Sequence, residues 1–257
     1  MPPLKLGKQV ATEDPKDLVF AKYVDRSKLP EAPAEFGHES LFPPKGWGML
    51  GNDDWGDCAW AGPAHETMLL AKEDGKPTNF TTHGVLGDYS AGTGFDPNAG
   101  PPGENPTDRG SQVRDVLKYR RTTGIVDANG KRHKIGAFVK LHTENIEHIL
   151  QALYVFEVVG IGFLFPDFAM DQFHRGEPWD VKPGAPVPKD GHYVCALGKR
   201  ANIDVVTWGA LQQMTIPFFK EYCDEAWAYI STETLNNGHM INGFDLKQLE
   251  ADLKALK

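Results

Sequence analysis

The sequence predicts an α+β fold, with a mainly helical first half followed by a mainly β second half. Two observations carry this. Apolar residues recur at helical spacing before residue 122, and short apolar runs of strand length dominate from 135 to 230. The chain has 257 residues, 40% hydrophobic and 24% charged, enough for a sizeable core without a disulfide or structural metal. Its three cysteines, Cys58, Cys195 and Cys223, are odd in number and widely spaced, so a reducing compartment is expected and at least one thiol is free.

Residues 1–50 form a Pro-rich, charged lead-in, with Leu29-Pro-Glu-Ala-Pro33 and Phe42-Pro-Pro44 breaking any periodicity, and are expected to lie extended on a larger body. The core spans 51–231, a helical lobe over about 51–134 and a β lobe over about 135–231, and 232–257 form a helical tail. A Gly-rich turn, Gly51 to Asp57, leads into an apolar helix best defined over Ala64–Lys72. Pro63 lacks an N–H and favours a first helical position, so the helix is expected to start there, leaving Cys58 a turn outside.

Residues 79–110, rich in Gly, Pro and Asn, read as a long cleft-shaping loop with one short helix near Val85–Ala91. Val113, Val116 and Leu117 mark a helix over 111–121 that ends at Gly124. A strand follows at Ile135–Leu141. The spacing of Ile146, Ile149, Leu150, Leu153 and Phe156 predicts a helix capped by Thr143. Strands are then predicted at 158–165, 192–197, 203–208 and 226–230, with a Pro-rich loop over 177–190. Leu246, Leu249, Leu253 and Leu256 form one face of a last helix and read as packing.

With 35 acidic and 27 basic residues, the net charge is −8 and no basic stripe suited to nucleic acid exists. The start lacks the apolar core of a signal peptide, and no run of ~20 apolar residues suggests a membrane span. A cytoplasmic protein, or one otherwise made without a classical secretion signal, is the expectation. No metal or cofactor is expected. His65-Glu66 lacks a second His, His142 and His148 are six apart, no Cys pair has zinc spacing, and Gly160-Ile-Gly162 lacks the third glycine of a dinucleotide loop.

Three local features stand out together: Gly56-Asp-Cys-Ala-Trp60, Gly191-His-Tyr-Val194 and Val206-Thr-Trp-Gly209. In this order, with Cys58 and His192 134 residues apart, the stretch from about Leu29 to Ser231 resembles the papain-like cysteine peptidases. The resemblance implies two lobes, one helical and one an antiparallel, barrel-like sheet, with the active site in the cleft between them. It also implies Cys58 as nucleophile and His192 as general base and then acid. Asn52, six residues before Cys58, stands where an oxyanion-stabilising Gln is expected, Thr207 where the imidazole-orienting Asn region lies, and Gly110 where a glycine pairs with substrate backbone. Trp55, Trp60 and Trp208 read as core or cleft-wall aromatics, with Trp60 and Trp208 candidates for substrate contact.

The chemistry fits these residue types. A thiol attacks an amide as thiolate, which a neighbouring imidazole supplies, and N–H donors stabilise the oxyanion that forms. The implied function is a thiol hydrolase acting on a polypeptide or peptide-like substrate, including isopeptide, cell-wall or transferase variants. Three departures favour an alternative, a catalytically weak or inactive papain-fold component of a larger assembly. The orienting Asn is missing, Pro63 follows Cys58, and Asp53, Asp54 and Asp57 crowd it. Burial of Cys58 beneath the N-terminal segment would favour that alternative. The lead-in is shorter than the folded prodomains of secreted relatives, which argues against a zymogen.

Overall fold

The computed structural model describes residues 4–25, 28–231 and 245–255. Residues 4–50 are largely extended, with 3₁₀ turns at Phe20–Lys22 and Glu39–Leu41 and a two-residue strand, β1 (Phe36–Gly37). Three helices follow: α1 (Cys58–Glu73), α2 (Thr82–Thr93) and α3 (Val113–Thr122). A small hairpin, β2 (Ile125–Val126) with β3 (Arg132–His133), leads to β4 (Ile135–Leu141), α4 (Ile146–Phe156), β5 (Val159–Leu164) and α5 (Asp167–Arg175). The chain continues through β6 (Gly191–Lys199), β7 (Ile203–Thr207), β8 (Ala210–Met214), α6 (Ile216–Tyr222), β9 (Cys223–Ser231) and α7 (Leu246–Ala255).

Apart from the β2–β3 hairpin, the strands form one antiparallel sheet in the order β4-β9-β5-β6-β7-β8, with β1 added beside β6. Side chains alternate across a strand, and here both faces are covered. Tyr193, Cys195 and Leu197 of β6 pack with the helical lobe, whereas Val194 and Ala196 pack with α4 residues Ile149 and Leu153. The sheet is therefore the common wall of two apolar cores, which is why β6 is buried almost along its length. No helix of the described residues is long and apolar enough to cross a membrane.

The structure corrects several expectations. Helix α1 begins at Cys58, not Pro63, because the Trp60 and Ala61 amides both reach the Asp57 carbonyl, at 2.7 and 3.0 Å, and close a turn before the proline. Burial of every residue from Cys58 to Ala71 offsets the bond lost at Pro63. Asn145, not Thr143, caps α4, its side chain accepting the His148 amide at 3.2 Å. Helix α5, strand β8 and helix α6 were not anticipated. Only Ala169 of α5 is buried, and β8 carries two glutamines, so neither shows a strong apolar period. Leu249 is buried in the sheet core, whereas Leu256 lies outside the described residues.

Candidate active site

Cys58 is the first residue of α1 and is 2% exposed. Helix α1 lies against β6 so closely that a Cβ on Gly62 would meet the Tyr193 ring at 2.7 Å. This packing brings the Cys58 thiol to the Tyr193 amide, the residue following His192. The turn before α1 is fixed by Asp108, which accepts the Gly56 amide at 3.1 Å and the Tyr89 hydroxyl at 2.7 Å; that hydroxyl accepts the Gly110 amide at 3.0 Å.

His192 stands second on β6, fully buried among Phe163, Phe165, Trp179 and Trp208. Its Nε2 lies 2.6 Å from Thr207 Oγ1, and its Nδ1 has no hydrogen-bond partner. Thr207 pairs with Ala210, so Trp208 and Gly209 form the two-residue turn between β7 and β8, with φ of +44° and +70°. Such a turn needs positive φ at both positions. A bulky residue held there costs on the order of 1–3 kcal/mol, and the Trp208 ring is thereby stacked on the imidazole, centroids 4.3 Å apart.

Residues 5–9 run through this site. The Lys8 amide donates to the Gly191 carbonyl at 3.0 Å, the Ser111 amide to the Gly7 carbonyl at 2.7 Å, and the Gln9 amide to the Ser111 carbonyl at 3.0 Å. The Lys5 carbonyl accepts from Trp208 Nε1 at 3.1 Å and Asn52 Nδ2 at 3.4 Å, so two side-chain donors converge on one backbone oxygen. Gly7 passes closest to Cys58, and only glycines fit. A Cβ on Gly7 would lie 1.8 Å from the Gly56 carbonyl oxygen, and one on Gly110, at φ +65°, 1.9 Å from the Gly7 carbonyl oxygen.

Enclosure sets the charge states. Burial pushes the Cys58 thiol up to about 12, against the Tyr193 and Gly7 amides, which favour the thiolate. Burial alone takes His192 down to about 3. At neutral pH the covered site therefore holds a neutral thiol and a neutral imidazole. Asp57 is fully buried, and burial with the Asp108 charge raises its pKa well above the carboxylate range; Asp53 and Asp54 face solvent.

Of the sequence-predicted residues, Thr207 and Trp208 touch His192, and Asn52 and Trp208 reach the strand in the cleft. Gly110 supplies clearance, while the main-chain pairing falls to Ser111, one residue on. Trp60 lies in the helical core with its indole N–H donating to Ser111 Oγ at 2.8 Å, supporting that residue from below rather than lining the cleft. Sequence reasoning does not reach Lys8, Ser111, Asp224 or Glu225. Lys8 shows only as a polar position after Leu4-Lys-Leu-Gly7, and the two acids as charges ahead of an apolar strand. Among the described residues, one set has metal-ligand geometry: His38, Glu73 and Glu157, whose ligand atoms lie within 4.8 Å of one another. His38 and Glu157 also line a cavity of about 310 Å³ with Phe36 and Tyr154; none of these residues belongs to the cleft.

Solved structures share this architecture at low identity. Xylellain, a cysteine protease from Xylella fastidiosa, matches with a TM-score of 0.67 and 14% identity over 88% of this chain and 96% of its own. ProCathepsin B S9 from Trypanosoma congolense gives 0.57 and 11% identity over 89% and 86%. Digestive procathepsin L 3 of Tenebrio molitor larval midgut gives 0.52 and 12% over 86% and 75%. Neither a protein-family model nor a curated protein sequence matches the chain. A helical lobe and an antiparallel β lobe, shared with these structures over 86–89% of this chain, give it the two-lobed papain-like fold.

Proposed function

We propose that the protein is a latent thiol hydrolase that cleaves a peptide or related amide bond through an acyl-enzyme on Cys58. His192 takes the thiol proton and returns it to the leaving amine, and water then releases the acyl group. Asn52 Nδ2 and the Cys58 amide stabilise the oxyanion, Thr207 orients the imidazole, and Trp208 shields it. The single observation that carries this reading is the strand at residues 5–9, gripped by main-chain bonds between Ser111 and Gly191 across Cys58, as a bound polypeptide would be.

The strand covers the site without being a substrate. The thiol meets the Gly7 N–H, a donor, while the Gly7 carbonyl accepts the Ser111 amide. Departure of residues 5–9 uncovers Cys58, removing part of the burial that keeps its thiol neutral, and takes the Lys5 carbonyl off Trp208, which stacks on His192. The test is reaction of the full chain with a thiol-directed epoxide at pH 6–7, read by peptide mass spectrometry. Slow labelling confined to Cys58 and lost in His192→Ala is expected. Labelling of Cys58 only under global unfolding, at the rate of a free thiol, would overturn the proposal.

One observation favours a second reading, a papain-fold binding component without catalysis: Cys58 is covered by the N-terminal segment and its thiol is pushed up to about 12. The same labelling separates the two, since only the hydrolase reading requires dependence on His192.

A further inference from the structure

We propose that the cleft contains a cation-selecting pocket, formed by Gly162, Asp224, Glu225 and Trp227, and that Lys8 is its internal occupant. This rests on the hydrolase reading above and names the substrate class: polypeptides carrying Arg or Lys at the position that Lys8 fills.

Lys8 is a lysine whose side chain is 0% exposed. Its ammonium lies 2.7 Å from Asp224 Oδ2 and 3.3 Å from Glu225 Oε1, and donates to the Gln9 carbonyl at 3.0 Å. The pocket is shaped for a long stem. A Cβ on Gly162 would lie 2.2 Å from Lys8 Cε, so the missing side chain on β5 is what leaves room for the methylenes. Glu225 is held in place by Trp227 Nε1, which donates to Oε2 at 2.7 Å, and Asp224 Oδ2 also accepts the Ala11 amide at 3.2 Å.

Two carboxylates face one ammonium, which is more charge than a tether needs. A buried ion pair seldom outperforms an apolar anchor of similar volume, so pinning the strand does not account for the acids. Glu225 Oε1 is met only by the ammonium, at 3.3 Å, and Asp224 Oδ1 has no hydrogen-bond partner with Lys8 in place. A guanidinium, with five donors in a planar fork, can use these oxygens, so Arg is expected to match or exceed Lys. The pocket is also in register with the chemistry. Lys8 directly follows the glycine that passes Cys58, and its amide is held by Gly191, the neighbour of His192.

The test uses the native full chain and four peptide epoxides that differ only in the residue beside the reactive group: Arg, Lys, Leu or Glu. Opening of the strand precedes all four reactions and cancels in their ratios. The Arg and Lys probes are expected to label Cys58 at least about tenfold faster than Leu, with Glu slowest, and the preference is expected to vanish in Asp224→Asn/Glu225→Gln. Equal, His192-dependent labelling by all four, fast or slow, would overturn the pocket and leave the nucleophile standing. If labelling of Cys58 does not depend on His192, the hydrolase reading fails instead. The pocket is then decided by fluorescence anisotropy on full-length Lys8→Met with a labelled peptide of residues 4–12. At least tenfold tighter binding than the norleucine-8 peptide supports it, and equal affinity overturns it.

Discussion

Replacing Lys8 with Met keeps the stem and removes the charge, and it measures how firmly the cleft is closed. Three main-chain bonds hold residues 7–9, Lys8 to Gly191 and two between this segment and Ser111, worth together about 3 kcal/mol net. Removing one partner of a buried ion pair costs about 3–5 kcal/mol, and the lower end applies because Asp224 is 19% exposed. The ion cluster is therefore as large a contribution as the three bonds combined. A loss of about 3 kcal/mol raises the open fraction on the order of 100-fold. Repulsion between Asp224 and Glu225, now without a cation, acts in the same direction. The assay is alkylation of Cys58 by iodoacetamide at pH 7, followed by mass spectrometry, with fully buried Cys195 as the internal control for unfolding. Acceleration of Cys58 by about two orders of magnitude with Cys195 protected is the expected result. Less than a threefold change in a natively folded variant would refute the view that Lys8 locks the strand.

Three further outcomes follow from the packing. Thr207→Val leaves His192 without its 2.6 Å partner, so the imidazole-dependent step in the pH profile of Cys58 alkylation should disappear; Thr207→Ser should retain it. His65 and His192 are lowered by burial to about 4 and about 3, so both are neutral in the folded state and bind protons on unfolding. Stability is then full above the unfolded value of about 6.5 and falls as pH drops toward 4, by on the order of 3 kcal/mol for each histidine. Urea midpoints at pH 7 and pH 4.5 check this, and His65→Gln should flatten the dependence. Glu66→Ala strands Arg120, which pairs with it at 2.9 Å between α1 and α3 and lies over the Tyr229 ring, and should cost about 3–5 kcal/mol in urea unfolding.

The sequence exposes those features that local chemistry dictates. The helical half, the strands over 135–141, 159–164 and 191–199, and the Cys58, His192 and Thr207–Trp208 segments are legible because each carries its own period or motif. Helix α6 had a readable start in Thr215-Ile-Pro217, where Thr215 Oγ1 accepts the Phe218 amide at 3.1 Å, yet its seven residues are too few to show a period. Propensity at Pro63 alone places the start of α1 five residues late, because the burial that overrides it has no local signal. The cleft strand is a different kind of omission. Gly7, Ser111, Gly191 and Asp224 meet from four distant parts of the chain, and nothing local in residues 4–10 signals that pairing. Cover of Cys58 by the N-terminal segment is a possibility the sequence leaves open, and five extended residues suffice for it.

The departures that made the sequence look catalytically weak separate once the carboxylates are located. Asp53 and Asp54 face water, where a high dielectric screens them from the thiol. Asp57 is buried with its pKa raised well above the carboxylate range, which favours its uncharged form and reduces its opposition to a thiolate. Asn52 Nδ2 is shared between the Trp55 carbonyl at 3.0 Å and the Lys5 carbonyl at 3.4 Å, and Thr207 Oγ1 lies 2.6 Å from the imidazole. The largest force acting against a thiolate–imidazolium pair is burial itself, first among the causes for Cys58 and the sole cause for His192. His192 is buried by the core aromatics Phe163, Phe165, Trp179 and Trp208, whereas the Cys58 thiol also meets Gly7, whose segment is held by hydrogen bonds and one ion cluster. On the hydrolase reading, a missing group would make inactivity permanent, whereas a docked strand makes it conditional. Reactivity at Cys58 should therefore track the strength of the Lys8 anchor more closely than any substitution among the three aspartates.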